Sequence, residues 1–173
     1  LIGEIRDGET AEIAIRASIT GHLVLSTIHT NDSASTVTRL IDMGIAPFLV
    51  SSSVVGIISQ RLVRKLCPDC AFEDEPTASE KALFLRRGLD VGKIRRPKGC
   101  PSCNFKGYAG RVGIFEILPV TRNMQNLIAQ SASISDLERE ARAIGTRSLL
   151  DAGLEKVQLG ITTLEEVLKV ASE

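Results

Sequence analysis

The sequence predicts an α/β fold that carries an inserted cysteine-rich subdomain and ends in a helical subdomain. Two short apolar runs, one ending near residue 5 and one spanning 22–29, lie on either side of a helical pattern. A strand, a helix and a second strand in that order are typical of a parallel sheet. All four cysteines then fall between residues 67 and 103, and the chain beyond residue 120 has helical periodicity. We therefore expect three regions, comprising residues 1–66, 67–113 and 114–173.

The composition is that of a folded protein without a dominant charge. Of the 173 residues, 43% are hydrophobic and 24% are charged, and 21 Lys and Arg balance 21 Asp and Glu. This balance argues against a nonspecific grip on nucleic acid or acidic lipid. The apolar stretch 48–58 is broken by Ser and Gly, and it is shorter than the roughly 20 residues that span a bilayer. We therefore expect a soluble protein.

The N-terminus begins in an unusual way. It has neither an initiating Met nor a basic segment followed by an apolar core, so no secretory signal is expected and the compartment predicted is the cytoplasm. Residues 1–7 begin instead with what reads as the end of an apolar strand. Native chains rarely start within a strand, so we interpret the sequence as a fragment.

The first region alternates helical and strand patterns. Residues 10–18 have the spacing of a helix buried on most sides, and Gly21 is placed to end it. The run 22–29 is nearly continuously apolar, which favours a strand buried on both faces. The N-cap residues at 31–33 predict a second helix, which Gly44 would end.

The stretch from residue 47 onward predicts a longer helix. Pro47 suits a first helical turn, and apolar side chains recur at helical spacing as far as Leu62. We therefore expect one helix from residue 47 to about residue 66.

The remaining elements follow from capping boxes and glycines. Within 67–113, the box Thr77-Ala78-Ser79-Glu80 predicts the one clear helix, and residues 111–120 return to strand composition. Beyond them we expect three or four short helices, with capping boxes at 135–138 and 162–165 and stops at Gly145 and Gly160.

Two CxxC pairs, Cys67/Cys70 and Cys100/Cys103, account for all the cysteine in the chain. Each pair is a short turn that can aim two thiolates at one point, and two such turns complete the tetrahedral sulfur cage that Zn²⁺ prefers. Two disulfides are the alternative, which a reducing cytosol disfavours. A redox-active CPxC motif would need only one pair. The pattern therefore predicts a structural zinc site.

Two further candidate residues follow the predicted parallel strands. Gly3-Glu4 lies at the end of the first strand and His29 at the end of the second, and ligands of open α/β sheets bind at that edge. A carboxylate there can hold Mg²⁺ through water or polarise an attacking water, and a His can reach a phosphate. A surface role for Glu4 and a strand-terminating role for His29 remain open alternatives.

Several stretches together resemble the hexameric ATPases of type II secretion and type IV pilus assembly. The resemblance covers nearly the whole chain and is carried by residues 1–11, 20–33, 60–67, 110–116 and 160–167, together with the paired cysteines. It implies the C-terminal portion of a RecA-like P-loop ATPase core, a homo-hexamer in the full-length parent, ATP and Mg²⁺ as cofactors, and partners among the inner-membrane platform proteins. The implied location is cytoplasmic and peripheral at the inner membrane.

The resemblance also implies roles for individual residues. Gly3 and Glu4 match an atypical Walker B motif, whose Glu acts near Mg²⁺ and the hydrolytic water. His29 lies in the family's histidine box, which approaches the γ-phosphate. The four cysteines match the zinc site of assembly-type members, and retraction-type members generally lack that site. Arg6 and Asp7 also belong to the motif, and the resemblance assigns neither of them a separate role.

One expected motif is missing from the chain. No G-x-x-x-x-G-K-[ST] sequence is present, so the backbone cradle and Lys that surround ATP phosphates are not supplied by these residues. The family's aspartate box and arginine fingers would also lie upstream. We therefore expect the full-length parent to hydrolyse ATP and the fragment alone to be inactive.

Two other readings remain open at this stage. One is a zinc-ribbon module that binds nucleic acid, supported by the basic residues between 86 and 98. Against it, aromatics are 3% of the chain, with no Trp and one Tyr, which leaves few surfaces for base stacking. The other is a catalytically inert adaptor of the same fold. We expect no nucleic-acid partner.

Overall fold

The structure is a computed structural model that describes residues 1–171. Within these residues the chain forms eight α-helices and four β-strands, in the order α1 (Gly8–Ile19), α2 (Ser33–Asp42), α3 (Pro47–Ser53), β1 (Gly56–Leu66), β2 (Phe72–Asp74), α4 (Ala78–Arg86), β3 (Ile94–Arg96), β4 (Tyr108–Pro119), α5 (Arg122–Ala129), α6 (Ile134–Ala143), α7 (Leu149–Gln158) and α8 (Leu164–Leu168). None of the described helices combines the length and the apolar character that a membrane crossing needs.

The described chain divides into two compact units, each with its own hydrophobic core. Unit 1 comprises residues 1–59 and 116–146, and unit 2 comprises residues 60–115 and those from 147 onward. The largest side chains of the unit 1 core include Val37, Val50, Leu118, Met124 and Ile128, all nearly inaccessible to solvent. Those of the unit 2 core include Phe84, Ile94, Ile114, Leu154 and Val167.

Unit 1 contains the predicted parallel pairing near the N-terminus. Ile2 and Ser26 form a parallel bridge, and the amide of Ile5 donates to the carbonyl of Thr27 at 2.8 Å. The parallel arrangement is confirmed, but the prediction of a strand buried on both faces is wrong. Leu23 is 79% exposed and Leu25 is 57% exposed, because no described residue covers these side chains.

The helices of unit 1 pack around α3. Helix α3 contacts α1, α2 and α5, and α6 contacts α2 and α5. Asp7 caps α1 by accepting from the amide of Thr10 at 2.8 Å, and Asp32 caps α2 by accepting from the amide of Ser35 at 2.7 Å. Gly21 and Gly44 follow the ends of these helices with φ of +97° and +92°, a backbone conformation that glycine adopts without strain.

The long helix predicted from residue 47 to about 66 is wrong. Pro47 does start α3, but the helix ends at Ser53, and β1 begins at Gly56. Ile57 is buried, Ile58 is exposed and Ser59 is buried, which is the alternation of a strand. The β-branched pair before Gly56 lowers helix propensity, and the apolar spacing of this stretch fits both periods.

The tail contains four helices within the described residues, α5 to α8, in agreement with the predicted number. Two of their caps differ from the predicted ones. Ser133 caps α6 in place of Ser135, and Thr163 caps α8 in place of Thr162. Both hydroxyls accept, at 3.3 Å, from the amide of an acidic residue three positions on. Gly145 and Gly160 are confirmed as stops, with φ of +83° and +67°.

In unit 2, the elements β2, α4 and β3 lie in the chain between the two CxxC pairs. Strands β2 and β3 pair antiparallel, with Phe72 opposite Arg96. The predicted box at Thr77 is confirmed, and its Glu80 also forms a two-pronged ion pair with Arg96, at 2.8 and 2.7 Å. Arg96 thereby lowers the pKa of Glu80 to about 2. Helix α7 contacts α8 and β3, and a side chain at Gly153 would collide with Val167.

Candidate functional site

The four cysteines of unit 2 come together as the spacing predicted. Their sulfur atoms all lie within 4.8 Å of one another. Three of the sulfur pairs are 3.8 to 3.9 Å apart: Cys67 with Cys100, Cys70 with Cys103, and Cys100 with Cys103. A zinc ion with bonds of about 2.3 Å to four thiolates sets its sulfurs about 3.8 Å apart, so the cluster has the dimensions of such a site.

Backbone amides donate hydrogen bonds to two of these sulfurs. The amides of Cys100 and Gly107 donate to Cys103 Sγ, both at 3.2 Å, and the amide of Gly99 donates to Cys70 Sγ at 3.3 Å. Hydrogen bonds of this kind stabilise a thiolate, which is the form that ligates a metal. The arrangement therefore favours metal binding.

The pKa values of two cysteines differ in direction. Burial alone would raise the pKa of Cys103, but the amides of Cys100 and Gly107 outweigh it and lower that pKa to about 6. Burial, which makes a charged thiolate costly, raises the pKa of Cys67 to about 11, and hydrogen bonds with the neighbouring cysteines act in the same direction. A bound divalent cation would remove that cost, so the donor set fits Zn²⁺.

In the second of the two CxxC turns, or knuckles, at Cys100–Cys103, the local backbone explains the sharp bend. A 3-10 turn covers Pro101–Cys103, and Asn104 follows it in the left-handed conformation with φ of +50°. Gly107, with φ of +74°, lies so close to Pro97 that any larger side chain would collide with it. All four cysteines are free thiols rather than disulfides.

The residues predicted at the strand edge also lie together, in unit 1. Glu4 Oε1 is 2.9 Å from His29 Nε2, and Glu4 Oε2 is 2.6 Å from Arg6. The carbonyl of Gly3 accepts from the hydroxyl of Thr27 at 2.7 Å. The parallel pairing therefore brings the ends of the two runs side by side, as the sequence suggested.

Glu4 is the most enclosed member of this group. Its side chain is 21% exposed, against 90% for that of His29. The hydrogen bond from Arg6 lowers the pKa of Glu4, against an opposing effect of partial burial. Glu4 is therefore an ionised carboxylate at neutral pH.

One oxygen of Glu4 has no hydrogen bond. Among the described residues, Glu4 Oε1 is buried and accepts none, although His29 lies near it. A buried carboxylate oxygen in this position can also accept from a water molecule or bind a cation. Within residues 1–171 the cysteine cluster is the one group of three or more possible metal ligands, so Glu4 can supply only part of a magnesium shell.

Nothing in the sequence indicated a role for two carboxylates, Glu116 and Glu166, which bond to distant segments of the chain. Glu116 accepts from the amide of Ser33 at 3.1 Å and also from its hydroxyl, which holds the first turn of α2 just after His29. Glu166 pairs with Arg64 through two hydrogen bonds. These partners are 83 and 102 residues apart in sequence, so no local pattern indicated either contact.

Comparison with solved structures gives the class of fold. The chain matches the crystal structure of the pilus retraction motor PilT with bound ADP at a TM-score of 0.66 and 25% identity, covering 99% of this chain and 38% of that one. It matches the ATPase DotB of Legionella pneumophila at 0.63 and 18%, covering 98% and 37%, a likeness that concerns the fold alone. The fold is that of RecA-like ATPases.

Sequence comparison then assigns the family. The Type II/IV secretion system protein family matches residues 1–169, and the chain belongs to it. It is 51% identical to type II secretion system ATPase E of Vibrio cholerae serotype O1, over all of this chain and 34% of that protein. It is 48% identical to type IV pilus assembly ATPase PilB of Myxococcus xanthus, over 97% and 30%. The chain thus spans about a third of the length of these relatives.

Proposed function

We propose that this chain is the C-terminal part of a hexameric motor ATPase that powers assembly of a type II secretion pseudopilus or a type IV pilus. Two kinds of relatives support this: secretion ATPases and pilus assembly ATPases, each about half identical to the chain. The proposed motor works in the cytoplasm against platform proteins of the inner membrane. Substrate and partner choice would then depend on parts of the motor outside these residues.

The observation that carries the proposal is the Glu4–His29 pair. The buried oxygen of an ionised carboxylate lies 2.9 Å from an imidazole nitrogen, at the ends of two parallel segments. In the proposed site Glu4 orients water and the hydrated Mg²⁺, and His29 contacts the γ-phosphate. When bound, Mg²⁺ would neutralise charge on the phosphates.

The proposal also explains why this chain alone is expected to be catalytically incomplete. Phosphoryl transfer depends mainly on positioning the phosphates and stabilising their charge, and the sequence has no phosphate-binding loop. Glu4 and His29 can act only on a nucleotide that other residues hold. The 173-residue chain is therefore expected to show no ATP turnover of its own.

The cysteine cluster has a structural role in this proposal. Zn²⁺ held by Cys67, Cys70, Cys100 and Cys103 leaves no open coordination position, which is typical of structural rather than catalytic zinc. A zinc site of this kind favours the assembly and secretion branches over the retraction branch. The functional division into residues 1–66, 67–113 and 114–173 stays a prediction.

The experiment that tests the proposal is Glu4→Gln in the full-length motor. This change keeps the shape of the side chain and removes its charge, so we expect kcat to fall about 100-fold or more while nucleotide binding is retained. Glu12→Gln is the matched control, because Glu12 pairs with Arg16 on the exposed surface of α1, away from Glu4 and His29 in sequence. Wild-type turnover in Glu4→Gln would remove Glu4 from the site.

A further inference from the structure

A buried carboxylate in unit 2 lies outside both sites described above. Glu166 is on α8, and its side chain is 8% exposed. Its two oxygens accept from the guanidinium of Arg64, on β1, at 2.8 and 2.7 Å. Lys169 adds a contact at 3.1 Å. Arg64 lowers the pKa of Glu166 to about 2, so the carboxylate is charged at any pH at which the protein works.

Arg64 carries this interaction across to β4. Its guanidinium lies 4.0 Å from the centre of the Tyr108 ring, within the range of a cation–π contact. The hydroxyl of Tyr108 is 3.1 Å from that of Thr163, the residue that caps α8. The Glu166–Arg64 pair, together with Tyr108, therefore holds β1, β4 and the start of α8 in fixed positions relative to one another.

Backbone hydrogen bonds repeat the connection between β1 and the segment before α8. The amide of Leu66 donates to the carbonyl of Ile161 at 2.9 Å. The hydroxyl of Thr162 donates to the carbonyl of Arg64 at 2.7 Å. Leu66 immediately precedes Cys67, so these hydrogen bonds hold the end of β1 next to the first of the four cysteines.

A second set of contacts leads from Tyr108 on β4 to the CxxC pair Cys100/Cys103. Gly107, next to Tyr108, donates its amide to Cys103 Sγ at 3.2 Å. Its carbonyl accepts from the amide of Cys67 at 3.0 Å. Gly107 thus joins one cysteine from each CxxC pair, and its position depends on the strand that Tyr108 anchors.

From these contacts we infer that Glu166 is a positioning residue for the four-cysteine metal site, acting through Arg64 and Tyr108. The inference rests on the proposed zinc binding. A tetrahedral site needs both knuckles held in one relative position, and partners outside the ligand set commonly change metal affinity by about 10- to 100-fold. Glu166 supplies the charge that holds Arg64 between the two strands leading to the knuckles.

The test compares zinc affinity among matched variants of the full chain. Zinc dissociation constants are measured by competition with a chromophoric chelator, and the visible spectrum of bound Co²⁺ reports ligand geometry. Glu166→Gln removes the charge from the buried pair, and Arg64→Lys removes the planar fork and its stacking. Both are expected to weaken zinc binding about 10-fold and to alter the Co²⁺ spectrum.

Two controls separate positioning from general stability. Glu165→Gln changes the neighbouring carboxylate, which pairs with Lys169 and is 71% exposed. Leu164→Ala removes a buried side chain of α8 outside the network and lowers stability. Both are expected to bind zinc within about twofold of wild type, with an unchanged Co²⁺ spectrum.

The possible results separate a failure of the positioning role of Glu166 from a failure of the zinc site itself. If wild type binds one zinc and Glu166→Gln and Arg64→Lys bind it equally well, the zinc site stands and the positioning role is wrong. Equal weakening in Leu164→Ala also contradicts it, because stability alone would then explain the effect. A wild-type chain that binds no zinc removes the metal site, and the inference with it.

Discussion

The cysteine cluster and the Glu4–His29 pair differ in how much of each site the chain itself contains. All four cysteines lie within one unit, the sulfurs are within 4.8 Å of one another, and backbone amides already bond to two of them. Glu4 and His29 are also in contact, but the side chain of His29 is 90% exposed. The cysteine cluster thus supplies four ligand atoms by itself, whereas the Glu4–His29 pair supplies two side chains, of which His29 is open to solvent.

The difference shows what each kind of site requires of a chain. A structural metal site needs only ligands of the right type at the right spacing, and two short turns can supply them. A nucleotide site needs a phosphate cradle, a charged clamp and a catalytic carboxylate in one place, and these come from distant parts of a fold. A chain spanning about a third of its relatives can complete the first without completing the second.

The largest expected effect comes from breaking the cysteine cluster. Cys103→Ser should abolish zinc binding and loosen residues 67–107, because metal binding contributes folding free energy to this segment, whose fully buried core side chains are Phe84 and Ile94. Hydrogen exchange measured along the chain should show lost protection there, and unchanged protection in unit 1. Ser102→Ala, on the same turn, is the control. Unaltered exchange at residues 67–107 in Cys103→Ser would show that the metal does not organise this segment.

Unit 1, by contrast, should depend on apolar packing rather than on metal. Ile57 is 9% exposed and Ile58 is 65% exposed, although both are in β1. Ile57→Ala should therefore lower the free energy of unfolding by about 2–4 kcal/mol, and Ile58→Ala by less than about 1 kcal/mol. Urea denaturation followed by circular dichroism measures both. Similar losses at the two positions would contradict the strand assignment.

The Glu4–His29 pair can be tested at its second residue. In the full-length motor, His29→Ala should lower kcat about 30-fold and change the melting temperature little, since an exposed side chain contributes little to packing. His22→Ala is the control, because the ring of His22 contacts Ala17 and Thr20 in its own turn. A drop in melting temperature without a loss of kcat would instead make His29 a structural residue.

The smallest effect expected is at a helix cap of unit 1. Ser133→Ala should destabilise the chain by about 1 kcal/mol, because its hydroxyl accepts from the amide of Asp136. Ser135→Ala should stay within about 0.5 kcal/mol, since Ser135 is exposed within α6. Thermal unfolding of the two variants separates the observed cap from the one that the sequence suggested.

The parts of the structure that could be predicted are those with a local signal. The CxxC turns, the glycine stops and the Thr77 box each depend on residues a few positions apart, and the structure bears them out. Strand β1 could not be recognised, because its apolar residues fit a helical and a strand period equally well. A cap was misplaced at Ser135 because several hydroxyl residues precede the same helix.

Contacts between distant segments formed the unpredictable part of both sites. Glu116 holds Ser33 and Glu166 holds Arg64, over separations of 83 and 102 residues. Either carboxylate alone looks like an ordinary surface charge in the sequence. Their roles emerge only when the fold places β4 beside α2 and β1 beside α8.

The zinc content of the purified chain tests the central claim most directly. The protein would be prepared under reducing conditions without chelator, and metal would be measured by elemental analysis against protein concentration. The account predicts one zinc per 173-residue chain, because its four sulfurs lie within 4.8 Å of one another and supply the four thiolates that a structural zinc site needs. A well-folded chain that carries no metal under these conditions would contradict it.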